Sequence, residues 1–598
     1  MSNIKKLIYL LTSHERKRAL QVLIMCLAMA LIDTIGIASI MPFMAVLTNP
    51  DIVETNTILN FFFKKSEIFG VKNKKDFLFF LGISVFLLLL FSIFFKALTN
   101  YVQVHFIQMR NYSISRRLVE GYLHQPYTWF LNRHSADIGK NILSEVANVA
   151  GGGINPMMDL VAYLFVTITI FTLLIIIDPI LSLSIGAIFG ISYGLIYKFT
   201  KTLLNRIGKE RLNANQIRFT SVSEAFNATK EIKLGNLEEI FTKEFSKSAK
   251  IFADRQIWAN FIIALPRFGL EAVAFGGMLL MVLYLMVTST TFDKIVPIIA
   301  LYAFAGYRLM PAIQQIYNSF AQLSYMGPAV DSLYDDLKNL KKFQKIKVNS
   351  ALPLNQEIIL KNIYYNYPDT SRTALKNINL TILANSTVGL VGTTGSGKTT
   401  MVDIILGLLE AQQGKLVIDG QELNKDNLRS WQKSIGYVPQ QIYLADKSIK
   451  ANIAFGIDEK NIDYESVIRA AKIANLHDFV TEELPSRYET KIGEKGVKLS
   501  GGQRQRIGIA RALYNKPKVL IFDEATSALD NNTEKTVMDS VYKLNKEITI
   551  IIIAHRLNTV KKCDNIFLLE NGELKGQGKF NQLNKDNMSF KKNYIEEI

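Results

Sequence analysis

Residues 388–400, VGLVGTTGSGKTT, run from an apolar stretch through a glycine-rich turn into Lys398, Thr399 and Thr400. The spacing is G-x-x-x-x-G-K-[ST], with Gly392, Thr393, Thr394, Gly395, Ser396 and Gly397 forming the turn. A strand that turns this tightly into a helix aims successive backbone N–H groups at one point, and the helix start adds positive potential there. Phosphate oxygens suit such a cradle; the Lys398 ammonium adds a charge and the Thr399 hydroxyl is suited to Mg²⁺. Downstream, KVLIFDEATSALD at 518–530 reads as a second buried strand ending in two carboxylates. Asp523 at its tip is placed to hold Mg²⁺ through water, and Glu524 to polarise an attacking water. The expected chemistry is hydrolysis of ATP with Mg²⁺.

A third run, KLSGGQRQR at 498–506, opens another helix with a serine and two glycines, leaving early N–H groups available to an anion. Here the sequence resembles the ABC transporters, whose signature is LSGGQ: Leu499, Ser500, Gly501, Gly502 and Gln503. The resemblance implies that this loop contacts ATP held by a second nucleotide-binding domain. It also implies roles for single residues. Gln440 in YVPQQIYL matches the glutamine that ligates Mg²⁺, and His555 in IIIAHRL matches the switch histidine near the γ-phosphate. Asp530 in SALD matches the D-loop aspartate, and Tyr367 in YNYPDT the aromatic that stacks on adenine, with Tyr365 as a nearby competitor. TKIGEKG at 490–496 resembles an exporter-type TEVGERG segment, with Lys491 where an acid is common.

The elements that position these residues occupy less than half of 598 residues, a length that calls for at least two domains. The expected fold is an α-helical transmembrane domain of six helices, exporter type, followed by an α/β P-loop nucleotide-binding domain. The expected limits are an N-terminal amphipathic segment at 1–18, the transmembrane domain at 19–325, a charged linker at 326–355 and the nucleotide-binding domain at 356–598. Apolar runs at roughly 19–47, 76–104, 155–177, 179–200, 257–287 and 294–320 are the spans. The first has no small-residue cleavage site, as expected of a retained span and not a signal peptide.

The net charge of +17 and pI near 9.4 would suit nucleic acid, but no nucleic-acid motif is present, and basic cytoplasmic loops account for the charge. The links at about 105–154 and 201–256 are rich in Lys and Arg, which places them and the nucleotide-binding domain in the cytoplasm. Each is expected to carry a short coupling helix, near PYTWFLNRHSADIGKN and SVSEAFNATKEIKLGN. The external segment 48–75, with Phe61, Phe62 and Phe63 beside Lys64 and Lys65, fits either an interfacial helix or an aromatic-anchored loop. Cys26 and Cys563 lie too far apart in sequence, and are too few, for a disulfide framework or metal cluster.

Charges inside the spans bear on the substrate. Asp33, Lys96, Arg267 with Glu271, and Arg308 all fall within them, and an arginine there costs about 2.5–3.5 kcal/mol on insertion scales. Arg267 and Glu271 are spaced to pair on one helix face; Asp33 is spaced to serve as a structural partner for a cation. A cavity lined by Lys96, Arg267 and Arg308 would hold an anion, and arginine's planar fork suits diphosphate. The stretches SIFFKALTNYV, ALPRFGLEAVAF and LYAFAGYRLMPAIQQIYNSF resemble the bacterial PglK family, with Lys96 where an arginine is expected. That resemblance implies an inner-membrane flippase for a polyprenyl-diphosphate-linked oligosaccharide used in protein glycosylation; the alternative is an ABC exporter of another amphiphile, such as a lipid A precursor, a lipopeptide, a peptide or a drug. One set of six spans and one nucleotide-binding domain implies a homodimer, working among membrane lipids.

Overall fold

The computed structural model describes residues 3–177, 179–288, 292–340, 350–368, 373–493, 496–526, 528–544, 547–554, 560–588 and 590–591. They divide into two compact units, Met1–Gln125 with Trp129–Phe343, and Pro126–Thr128 with Gln344–Ile598.

The first unit is helical. After the short α1 (Asn3–Leu10), Thr12 caps α2 (Ser13–Ala38) through a reciprocal box with Glu15. Residues 13–18 therefore form the start of the first long helix instead of belonging to a separate N-terminal segment. The first span then breaks at Ser39, and α3 (Ile40–Thr48) follows. Pro42 supplies the reason: it has no N–H to donate to the Ala38 carbonyl. Helix α4 (Lys74–Leu123) has 50 residues, a rise of roughly 75 Å against a hydrocarbon core of about 30 Å. It must therefore continue far past the bilayer. Phe86, Phe91 and Phe94 face outward along it, untenable in water and normal against lipid.

Helices α5 (Asn155–Ile177), α6 (Pro179–Asn227), α7 (Glu238–Thr288) and α8 (Phe292–Tyr325) complete the long set. Among the described residues, three helical stretches are long and apolar enough to cross a membrane: Ser13–Thr48, Lys74–Leu123 and Ser135–Ile176. The other three expected spans lie in α6, α7 and α8, each of which includes side chains outside the described set. The external segment is helical, at Ile52–Thr55 and Thr57–Ser66, with Asn56 accepting from the Ile58 and Leu59 N–H groups. Val53 and Leu59 pack inward against Val46, Val71 and Phe77, while Ile58, Phe61 and Phe62 stay exposed. Short helices also form where coupling helices were expected, at Tyr127–Leu131, Ser135–Lys140 and Thr229–Gly235.

The expected linker begins as a packed helix. In α9 (Gly327–Asn339) the buried residues Ala329, Val330 and Leu333 make one face apolar. Lys6 donates to Asp331 at 2.7 Å, and Tyr9 meets Tyr334 edge-on. Asp336 accepts from Tyr122, Arg133 and Asn141. Helix α9 thus packs with the helical unit beyond residue 325.

The second unit is α/β. Strands β1 (Glu357–Asn366), β2 (Thr373–Leu383), β4 (Gln413–Ile418) and β5 (Gln421–Glu422) form an antiparallel sheet of order β2-β1-β4-β5. Strands β3 (Thr387–Val391), β6 (Ile435–Val438), β7 (Val519–Asp523), β8 (Thr549–Ile553), β9 (Asn565–Glu570) and β10 (Glu573–Gly578) form the other, ordered β10-β9-β3-β8-β7-β6. All its pairs are parallel except β9 with β10. Strands β3, β7 and β8 are buried at every position, which is why they read as unbroken apolar runs. Helices α10 (Lys398–Ile405), α11 (Gly501–Tyr514) and α12 (Asn531–Tyr542) pack around this sheet. Because β3 and β7 are parallel and both border β8, their carboxyl ends open at one edge, the usual ligand position in such sheets.

Candidate nucleotide site

The loop from β3 to α10 depends on glycine. Gly392 has φ +154°, and a Cβ there would lie 2.2 Å from the Leu569 carbonyl oxygen. Gly397 has φ +103°, and its Cβ would meet the Ala374 carbonyl oxygen at 2.8 Å. Thr393, Thr394, Gly395 and Thr399 are exposed around this turn. Lys398 is buried and donates to the carbonyls of Gly392 at 2.8 Å and Thr393 at 3.0 Å. Burial lowers its pKa, opposed by the nearby Glu524 and Asp523 carboxylates. The hydroxyl of Ser396 is buried without a hydrogen-bond partner among the described residues. An ammonium folded back onto its own loop and an orphaned hydroxyl inside the cradle are what a phosphate group would satisfy. The residues present fit ATP.

Asp523 ends β7, buried, with one carboxylate oxygen accepting from the Tyr437 hydroxyl at 3.1 Å. Glu524 follows in a left-handed conformation, φ +51°, its N–H bonded to the Ile553 carbonyl at 3.2 Å. A non-glycine residue held there is strained by about 1–3 kcal/mol, and such strain clusters at functional positions. The Gln440 amide donates to Glu524 at 2.8 Å, bringing two sequence-expected residues together from 84 positions apart. Thr399, Asp523 and Gln440 offer only oxygen donors, the chemistry that suits Mg²⁺.

Tyr367 lies at the end of β1, its hydroxyl 3.1 Å from that of Thr400. Tyr365 is buried in the sheet core and meets the Tyr367 ring edge-on, so Tyr367 is the more accessible of the two. Ser500 caps α11 in a reciprocal box with Gln503, which uses the N–H groups of both residues. The expectation of free donors at this helix start is corrected to that extent: the cap consumes two of them. Leu499 is buried beside the cap. Gly501 and Gly502 let the 528–529 turn approach; a Cβ on either would sit 3.2–3.3 Å from Ala528 or Leu529. Asp530 caps α12 through the Thr533 N–H at 2.9 Å, and hydrogen bonds from the Thr533 hydroxyl and then its N–H hold the carboxyl's pKa below the usual carboxylate range. His555 lies outside the described residues.

The sequence reading missed three nearby groups. Tyr437 lies two residues before Pro439 on β6, Gln505 ties α11 to the Ala528 N–H, and Asp403 is pushed up to about 6 by burial and the Asp523 charge. Only spatial proximity reveals them.

In the helical unit Arg267 pairs with Glu271 at 2.9 Å, as the spacing predicts. Lys96 is exposed on α4. Arg308 lies on α8, which continues helical through Pro311; its side chain is outside the described set. Asp33 is buried and accepts from the Ser92 hydroxyl at 2.8 Å. Asp159, overlooked in the sequence, is a further buried carboxylate, bonded by the amides of Gln103, Asn155 and Gln315.

Comparison with known proteins agrees with this geometry. The ABC transporter family profile matches residues 375–527, and that of the ABC transporter transmembrane region matches 53–324. The leukotoxin export ATP-binding protein LtxB of Aggregatibacter actinomycetemcomitans is 31% identical over 84% of this chain and 70% of its own. The alpha-hemolysin translocation ATP-binding protein HlyB of Escherichia coli is likewise 31% identical, over the same shares. The solved structure of a bacterial Atm1-family ABC exporter with ATP bound superposes with a TM-score of 0.80 at 20% identity, covering 97% of this chain and 98% of that one.

Proposed function

Because this chain belongs to the ABC transporters, as a multi-pass membrane protein that hydrolyses ATP to drive export, we propose that it works as a homodimer and moves an anionic amphiphile outward. The amphiphile of this reading is a polyprenyl-diphosphate-linked oligosaccharide. In the second unit, Gly392–Thr400 wraps the phosphates, Tyr367 stacks on adenine, and Thr399, Asp523 and Gln440 hold Mg²⁺, which neutralises phosphate charge when bound. Glu524 orients the attacking water, His555 contacts the γ-phosphate, and the Leu499–Gln503 cap and Asp530 serve the ATP of the second copy. The Gln440 amide engages the Glu524 carboxylate, so that bond must loosen before Glu524 takes a water.

The observation that carries the amphiphile is an apolar cavity of about 360 Å³ between α5, α6 and α8. Gly186, Gly190 and Gly194 line one wall and Phe171, Tyr193 and Phe320 others; at Gly190 and Gly194 a Cβ would meet nothing within 4 Å. An apolar cavity of this size at membrane depth takes a hydrocarbon tail. Lys96, Arg267 and Arg308 would meet the diphosphate, with Arg267 released from Glu271 on loading. The exposed Ile58, Phe61 and Phe62 of the external segment offer the tail a further surface.

A second reading, export of a polypeptide, is favoured by the names of the toxin-exporting relatives. Reconstitution separates the two. Liposomes containing the protein and ATP should flip a labelled lipid-linked oligosaccharide and leave an undecorated phospholipid in place. Uptake of a polypeptide without flipping would favour the second reading and sink the first.

A further inference from the structure

We propose that the cytoplasmic end of the α2–α4 pair carries a binding site for an anionic phospholipid of the inner leaflet, its phosphate held by Arg18 and Arg110. A cavity of about 210 Å³ lies between the two helices. Arg18 from α2 and His105 and Arg110 from α4 line it, together with the apolar Val22, Met25 and Val102. Two span limits read from the sequence meet at this place. Arg18 stands one residue before the first apolar run, and His105 one residue after the second. Met25 is about two helical turns further into the span. The cavity therefore crosses the boundary between headgroups and hydrocarbon, basic at one end and apolar at the other.

Arg110 is buried, and the Glu15 carboxylate at 2.8 Å and the Phe106 ring at 4.8 Å hold its guanidinium in place. Glu15 balances that charge. Arg18 is exposed, forms no hydrogen bond or ion pair among the described residues, and is close enough to Arg110 to repel it. An anion between the two guanidiniums would relieve the repulsion and gain charge-assisted hydrogen bonds from both. The volume is below the roughly 300–1,000 Å³ of pockets that enclose a whole small ligand, so it suits a phosphate with its glycerol carbons. Exposed Leu20, Ile24, Tyr101 and Val104 on the same two helices leave an apolar surface nearby, where acyl chains would lie. Basic residues at this level attract anionic lipids by about fivefold each.

The test titrates full-length protein in a neutral detergent with phosphatidylglycerol carrying a nitroxide on one acyl chain, bound label being resolved by electron paramagnetic resonance. Unlabelled phosphatidylglycerol should displace it, and neither phosphatidylcholine nor inorganic phosphate should do so at equal concentration. Arg18→Gln should weaken binding by about fivefold. Lys17→Gln, an exposed neighbour that does not line the cavity, should change it by less than twofold. Met25→Trp, which fills the apolar end and touches no charge, should also weaken it. A loss under twofold in Arg18→Gln, or equal losses in Arg18→Gln and Lys17→Gln, would show a diffuse basic surface and overturn the site. Displacement by inorganic phosphate would assign the cavity to a free anion, and displacement by phosphatidylcholine would show unselective lipid contact; either result overturns the proposal.

Discussion

The most exacting test of the helical unit is the ion pair between Glu145 and Arg211. Both are almost fully buried, at 0% and 3% side-chain exposure, with the guanidinium donating at 2.7 Å. Asn215 donates to the other carboxylate oxygen. Glu145 ends a π-helical turn, Asn141–Glu145, and a second such turn at Ala150–Ile154 carries three consecutive glycines. Without Glu145, this pocket would hold Arg211 and Arg218, both stacked near the Phe252 ring at 5.9 and 4.1 Å, with their attraction to the carboxylate gone. Glu145→Gln keeps the shape and removes the charge. Breaking one partner of a buried pair costs about 3–5 kcal/mol, since the remaining ion stays desolvated. At about 2 °C per kcal/mol for a domain of this size, Tm should fall by roughly 6–10 °C. The double change Glu145→Leu with Arg211→Met should recover most of that, because an apolar pair of similar volume avoids the desolvation cost. The two cysteines offer a unit-specific assay. In a Cys563→Ser background, buried Cys26 is the only thiol, and it packs in the same core as Val146. Thermal unmasking of Cys26 to a thiol-reactive dye then reports this unit alone. A shift under 2 °C for Glu145→Gln, or a double variant as unstable as the sum of the single ones, would refute the reasoning.

Glu524→Gln should keep ATP binding, measured by equilibrium binding of labelled nucleotide, and lower steady-state turnover by about 10²–10⁴-fold. Arg308→Ala should lower the number of lipids flipped per ATP hydrolysed in proteoliposomes, and Gly190→Leu should do the same by filling the apolar cavity where a Cβ finds open space. Asp419→Ala should destabilise the nucleotide-binding unit by about 1–3 kcal/mol in thermal unfolding, because its carboxylate accepts from the N–H groups of Asn355, Gln356 and Glu357. Burial alone would raise this carboxyl, yet those donors bring its pKa below the usual range. Its contribution is thus present above the unfolded-state value near 3.9 and is lost as pH falls through the lower folded value, so the variant and parent should converge in acid.

The parts of the site legible in the sequence are those whose chemistry is local. Gly392 through Thr400 is a contiguous run, and Asp523 and Glu524 follow directly on an apolar strand, so spacing alone identifies the cradle and the carboxylates. The long helices could be read for the same reason, since 3.6-residue periodicity and sustained hydropathy are local properties. What escaped depends on distant pairs. Tyr437 finds Asp523 from 86 residues away, and Asp336 gathers Tyr122, Arg133 and Asn141 across 195 to 214 residues, turning an expected linker into a packed helix. The break at Ser39 was readable in principle from Pro42, but a mean over an apolar window hides a single missing N–H.

Asp159 shows why the substrate is harder to read than the chemistry. A search for intramembrane charge looks for an opposite charge, and Asp159 instead satisfies its carboxylate with amides from helices α4 and α8 as well as its own. Those bonds stitch three spans together at one depth, so the carboxylate serves packing first. The same reasoning applies to Arg267, whose pairing with Glu271 stabilises both residues without any substrate. A cation already paired can serve as a substrate contact only if the ligand outcompetes its partner, and a diphosphate, carrying more charge than one carboxylate, meets that condition. The toxin-exporting relatives are 31% identical to this chain over 84% of its length, and identity at that level does not by itself fix what passes between the spans. Under the proposed function, substrate choice rests on Lys96, Arg267 and Arg308 and on the glycine-lined cavity between α5, α6 and α8.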